Sequence, residues 1–138
     1  MKRILSLIIS IFAICGILSA QDSRERTLET IVQDVLAALP AENQAEFNTN
    51  MHDLAKSAPA SVVYLASRLQ PVEAGVNNLV EYAISGVVRY ATAPESSSFK
   101  DEVRTGLEKA LEACKDDNHR QFLESQLRLM MPYAAAPL

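Results

Sequence analysis

Few side chains in this sequence are of the types that bind metal ions. His52 and His119 are its only histidines, and neither has a second ligand three or four residues away that could hold the same ion. The run from Asp116 to His119 crowds oxygen atoms as a calcium loop does, but it lacks the central Gly and the distal Glu of such a loop. An Asp in this position is better suited to capping a helix. We therefore predict no metal site and no cofactor.

Candidate nucleophiles are equally sparse. Ser85 precedes Gly86, but the flanking Gly of a nucleophile elbow is missing, and the pattern places both residues inside a helix. A Gly in a helix interior costs about 1 kcal/mol relative to Ala, so we expect Gly86 to allow a neighbouring helix to approach closely. Cys114 continues an apolar helical stripe and is predicted to be a buried thiol. No catalytic residue is predicted, and we do not expect an enzyme.

The first 20 residues have the pattern of a secretory signal peptide. A basic start, Met1 to Arg3, is followed by an apolar run from Ile4 to Leu18 and by the small residues Ser19 and Ala20. The run is too short to favour a membrane span. Cleavage after Ala20 is therefore predicted, and the protein is expected to be exported to the periplasm or secreted, without stable insertion in a membrane.

The composition after Ala20 limits the classes of partner. Of 138 residues, 118 remain, with 11 basic and 17 acidic side chains and a net charge of −6. Such an acidic protein is a poor binder of nucleic acid and of anionic membranes. Cys15 lies within the signal peptide, so Cys114 is the one thiol left and no intramolecular disulfide can form. A hydrophobic content of 49% favours a packed domain over a disordered chain.

Apolar residues in the rest of the chain recur every three or four positions, which is the spacing of helices and not of strands. The clearest stripe runs from Val76 to Ala91. Ser57, the pair Ser98 and Asp101, and an Asp between 115 and 118 are predicted to cap the third, fifth and sixth helices. The predicted helices cover residues 22–39, 41–57, 58–69, 76–91, 98–114 and 116–131, and a flexible tail follows at 132–138.

These all-α elements form three hairpins that begin near Asp22, near Ser57 to Pro59 and near Ser97, at a spacing of roughly 37 to 38 residues, which is typical of helical repeats. One hairpin cannot bury its own apolar stripes, whereas three stacked hairpins build a continuous core. We predict a HEAT/armadillo-like right-handed α-solenoid of three antiparallel hairpins. A closed helical bundle of the same helices remains the alternative.

Three stretches also resemble a known family. The segments 27–36, 39–41 and 80–86 are similar to the start of large secreted bacterial HEAT-repeat proteins. The resemblance covers roughly residues 22–131 of a predicted domain at 21–131, and it implies an α-solenoid scaffold. Members of that family usually continue through further repeats, so the chain is expected to be either a short stand-alone relative or the N-terminal part of a longer repeat protein.

The polar sides of the fourth and sixth predicted helices are the candidate partner-binding surface. In a solenoid the second helix of each hairpin lines the concave face, where an aromatic residue flanked by Arg and Glu can bind a protein or peptide. An ordinary solvated face is the other interpretation. The function predicted is an exported non-enzymatic scaffold or protein-interaction module, with an exported helical-bundle enzyme or small-ligand carrier as the alternative. The candidate residues are Glu81, Tyr82, Ser85, Arg89, Gln121, Glu124 and Arg128.

Overall fold

Helices account for most of the residues that the computed structural model describes, which are 26–71 and 77–131. The predicted signal peptide, the predicted tail and Val76 lie outside this part of the chain. Within it there is no strand, and no helix is long and apolar enough to cross a membrane. The predicted all-α class and the number of helices are therefore confirmed. The six helices are α1 (Leu28–Ala38), α2 (Gln44–Lys56), α3 (Ala60–Ser67), α4 (Asn78–Thr92), α5 (Lys100–Ala113) and α6 (Asp117–Leu129), and a 3₁₀ helix (Pro94–Phe99) leads into α5.

Three of the helices begin at polar caps. Asp116 caps α6 as predicted, because its Oδ1 accepts the backbone N–H groups of Asn118 at 2.8 Å and His119 at 3.2 Å. Thr27 and Asn43 cap α1 and α2 in the same way. These side chains satisfy N–H groups that have no partner within their own helix.

Two predicted caps are wrong. Ser57 ends α2 instead of starting α3, and its hydroxyl donates to the carbonyl oxygen of Asp53 at 2.9 Å. Ser98 lies inside the 3₁₀ helix, so α5 follows that helix directly and has no side-chain cap. In both cases the chain enters the next helix through residues that already have helical geometry, which leaves no extended cap position to fill.

The core surrounds α4, which contacts all five other α-helices. Ala83, Ile84 and Val87 have no exposed surface, as the predicted stripe requires. The core also takes in residues from every other α-helix, and fully buried members include Val32, Met51, Leu54, Val62, Leu65, Val103 and Leu107. Removal of this much apolar surface from water is the main stabilisation of the fold.

The two most extensive contacts between α-helices join helices that are two apart in the chain, α3 with α5 and α2 with α4. The other pairs two apart, α1 with α3 and α4 with α6, contact each other less. The pair α2 and α4 run parallel, because Phe47 lies against Tyr82 and, further along both helices, His52 lies against Tyr90. Contacts within the hairpins, α1 with α2, α3 with α4 and α5 with α6, complete the arrangement.

Two helix glycines lie at these contacts. A Cβ built on Gly86 would lie 2.7 Å from Met51 Sδ, so α2 does approach α4 closely at this position, as the sequence predicted. A Cβ on Gly106 would lie 2.7 Å from Val62 Cβ and 2.9 Å from the Pro59 carbonyl oxygen, so α5 also approaches α3 closely, and here the contact includes backbone. The absence of a side chain at both positions is what allows the helices to come together.

The base of the connection between α3 and α4 is held by three hydrogen bonds. Asn77 Oδ1 accepts the backbone N–H of Gln70, and Asn77 Nδ2 donates to the Gln70 carbonyl oxygen, both at 2.8 Å. His119 Nε2 lies 2.7 Å from the same carbonyl oxygen and must donate to it, since a carbonyl only accepts. The start of α6 is thereby tied to the end of α3.

Candidate functional site

Two of the predicted partner-binding residues line a depression between α2 and α4. Tyr82 is 39% exposed, and its ring meets that of Phe47 edge to face, with the ring centroids 6.5 Å apart. Arg89 is exposed two turns further along α4. The depression has a volume of about 190 Å³, and we call it the α2–α4 depression. Its walls are formed by Ala41, Asn43, Gln44, Phe47, Tyr82 and Arg89.

The polar groups of α2 in this depression are partly committed to the helix itself. Asn43 Oδ1 accepts the backbone N–H of Glu46 at 2.9 Å, as an N-cap does. Gln44 Nε2 donates to Asn48 Oδ1 at 2.9 Å. Within the described chain, the guanidinium of Arg89 forms no ion pair. The depression therefore combines an aromatic wall with an unpaired cation.

The other two candidates on α4 are less accessible. Glu81 is half-buried, and Ser85 is half-buried with its hydroxyl donating to the Tyr82 carbonyl oxygen at 3.2 Å. A Ser hydroxyl bonded back to its own helix is a common local arrangement. Neither residue lines the α2–α4 depression.

The candidates on α6 lie at a different place. Glu124 and Arg128 line a second depression of about 300 Å³ together with Leu127 and Met131. Gln121 is exposed on the same helix and lines neither depression. The sequence predicts one binding surface for all seven residues. In the structure, Tyr82 and Arg89 line one depression, whereas Glu124 and Arg128 line another that shares no residue with it.

Sequence reasoning missed the contribution of α2. Phe47, Asn43 and Gln44 are not among the residues that the sequence predicts to bind a partner. The pairing of α2 with α4 brings these side chains to Tyr82 and Arg89. The available signal was the Asn at the start of a polar helix, which identifies a cap but not a binding group.

Two further depressions flank α3, whose outer side is apolar. One has a volume of about 450 Å³ and includes Leu28, Tyr64 and Lys109 in its walls. The other, of about 360 Å³, includes Cys114 and His119. Both are lined by Val63 and Ser67, so they lie on either side of the same face of α3.

Cys114 is half-buried in that second depression and packs against the edge of the core, so the prediction of a buried thiol is only partly correct. It follows the last residue of α5, and its thiol donates to the Asp116 carbonyl oxygen at 3.4 Å. The helix itself ends one residue earlier, at Ala113, and Cys114 has an extended backbone, so it does not continue the buried side of α5. Along 26–71 and 77–131, no group of three or more His, Cys, Asp or Glu residues could hold a metal ion.

Comparison with known proteins finds no matching family model, no significantly similar curated protein and no significantly similar solved structure.

Proposed function

We propose that this protein is an exported, non-enzymatic α-solenoid scaffold that presents the face formed by α2 and α4 to a protein or peptide partner. The observation that supports the solenoid is the extensive packing of helices two apart in the chain, α2 with α4 and α3 with α5. Stacked hairpins pack the equivalent helices of successive repeats against each other.

A closed bundle places different helices side by side. In an up-and-down bundle each helix packs mainly on its sequence neighbours, and helices two apart face each other across the core. Here the two helix glycines of the described chain, Gly86 and Gly106, both lie at contacts between helices two apart. Within the same residues α1 makes no extensive contact with α5 or α6. Both observations favour an open stack of HEAT-like hairpins.

Export rests on the pattern of residues 1–20. Expression of the full chain in a bacterium with a Sec pathway, followed by mass measurement of the exported form, tests this part of the proposal. We expect a protein that begins at Gln21, within one or two residues. Intact chain that stays in the cytoplasm would exclude the signal peptide and leave the scaffold proposal to be tested alone.

Partner binding is tested by removing the two exposed side chains of the α2–α4 depression. We expect Tyr82→Ala/Arg89→Ala to reduce capture of the partner from an envelope extract, because aromatic and Arg anchors typically contribute about 2 kcal/mol or more at a hot spot. Arg104→Ala is the matched control, since Arg104 lies on α5 and pairs with Asp101 and Glu108. Retention of every partner by a folded double variant would exclude this face.

A small-ligand carrier is the second candidate, and the apolar depressions beside α3 favour it. Ala60→Trp would fill the larger one, which Ala60, Val63 and Tyr64 help to line. Binding of a fluorescent apolar probe, such as 1-anilinonaphthalene-8-sulfonate, that is lost in this variant would support a carrier. If the protein acts as a scaffold through α2 and α4, Ala60→Trp should not change the capture of its partner.

A further inference from the structure

The α2–α4 depression contains hydrogen-bond donors that lack acceptors. The Arg89 guanidinium has five N–H donors and no acceptor atom, and in the described chain it forms neither an ion pair nor a side-chain hydrogen bond. Asn43 uses its oxygen as the N-cap of α2, so its Nδ2 amide group is what remains for a ligand. A ligand that satisfies both groups must offer acceptors.

The surrounding charges favour an anionic acceptor. No acidic side chain among the described residues lines the depression. Glu46 lies in the first turn of α2, between Gln44 and Phe47, but it is half-buried and its Oε2 already accepts the backbone N–H of Glu42 at 3.0 Å. Arg89 is thus a local unpaired cation on a chain of net charge −4, and a carboxylate is the group whose geometry matches a guanidinium through two parallel hydrogen bonds.

The size of the depression restricts the ligand further. A volume of about 190 Å³ is below the range of roughly 300–1,000 Å³ that small-molecule sites occupy. It suits one side chain of a larger partner. Beside Arg89, the paired rings of Phe47 and Tyr82 provide an apolar wall for the residue next to that side chain.

We infer that the α2–α4 depression binds the carboxylate of an Asp or Glu side chain in an extended segment of the partner, with an apolar residue beside it against Tyr82. The inference rests on the proposed function, because it specifies the chemistry of the partner at the same face. Arg89 supplies the charge and Asn43 Nδ2 a second donor.

Selection from a displayed library of random linear peptides on the immobilised exported chain tests the inference. We expect the retained peptides to be enriched in Asp or Glu next to an apolar residue. A representative peptide should bind Arg89→Gln at least about tenfold more weakly, since the variant loses the hydrogen bonds from a charged donor, and its binding should weaken as salt is added. Arg104→Gln should bind it as the wild type does.

Charge reversal distinguishes the possible failures. Arg89→Glu should select peptides enriched in Lys or Arg in place of acidic ones, and circular dichroism should show the same helix content as the wild type. Two results would overturn the carboxylate site while leaving the scaffold proposal intact. In the first, the retained peptides require Tyr82 but show no enrichment in acidic residues. In the second, Arg89→Glu still selects acidic peptides. If no retained peptide depends on Tyr82, both proposals fail.

Discussion

Gly106 lies directly against Val62, so that a Cβ at position 106 would fall 2.7 Å from the Val62 Cβ. The same Cβ would lie 2.9 Å from the Pro59 carbonyl oxygen, so it could not move away from Val62 toward that side. Gly86 meets a comparable distance, but there the nearest atom is Met51 Sδ, near the end of a flexible side chain. Two glycines in similar positions therefore tolerate a methyl group differently.

Gly106→Ala should destabilise the protein, whereas Gly86→Ala should be close to neutral. Overpacking against rigid atoms costs about 1–3 kcal/mol, and better helix propensity returns up to about 1 kcal/mol. We expect a net loss of about 1–2 kcal/mol at position 106, measured by urea denaturation. Equal stabilities for the two variants would show that α3 can move away from α5 as easily as Met51 can rotate.

Val87→Asp should unfold the domain. Val87 has no exposed surface and lies on the side of α4 that faces the core. A buried unpaired charge costs roughly 3–5 kcal/mol, which is comparable with the total stability of a domain of this size. The same should hold for Ala83→Asp, and Arg89→Asp on the exposed side of α4 is the control. A helical Val87→Asp protein with an unchanged melting temperature would exclude this arrangement of α4.

Asp116→Ala should lose about 1 kcal/mol of stability, since an N-cap side chain contributes that much. Its Oδ1 is the acceptor for two N–H groups at the start of α6. Asn is as good an N-cap as Asp, so Asp116→Asn should retain most of the stability. If both variants lose the same amount in chemical denaturation, the charge of Asp116 and not its cap is what stabilises α6.

Tyr82→Ala should cost about 1 kcal/mol, because an edge-to-face aromatic pair contributes roughly 0.5–1.5 kcal/mol beyond its buried area. Arg89→Ala should leave the melting temperature unchanged, since Arg89 is exposed and makes no ion pair within the described chain. Thermal melts of the single variants measure this. A large loss on removing Arg89 would place that side chain in the packing and not in a binding surface.

The melting temperature of the exported chain should be the same with and without dithiothreitol, and with and without EDTA. Cys114 is the one thiol that follows the predicted cleavage site, and no group of potential metal ligands occurs along 26–71 and 77–131. Calorimetry under the four conditions checks this. A shift of several degrees with EDTA would reveal a metal site.

Periodicity predicted the helices well, because the buried stripe of α4 is long and regular enough to be read without knowledge of its neighbours. Caps were predicted less reliably. The cap predicted at Asp116 is confirmed, but those predicted at Ser57 and Ser98 are wrong, because a Ser can equally bond back to the preceding helix or lie in a 3₁₀ turn. A local motif does not reveal which of these competing hydrogen bonds the packing selects.

The apolar stripes do not show which helices pack against each other. Gly106 was not singled out, although a Gly within an apolar helix face is the mark of a close approach. The candidate surface depended on that pairing. Tyr82 and Arg89 were identified from their own helix, whereas Asn43 and Phe47 join them only because α2 packs parallel to α4.

The two close approaches also differ in stiffness, so one of the two helix contacts is easier to deform than the other. Backbone at Gly106 rests on Val62 and on the Pro59 carbonyl oxygen, so the contact of α3 with α5 resists compression. At Gly86 the contact passes through the Met51 thioether, which yields by rotating. When the protein is bent, the contact at Gly106 should therefore keep its spacing. The distance between α2 and α4, where Tyr82 and Phe47 meet, should change instead.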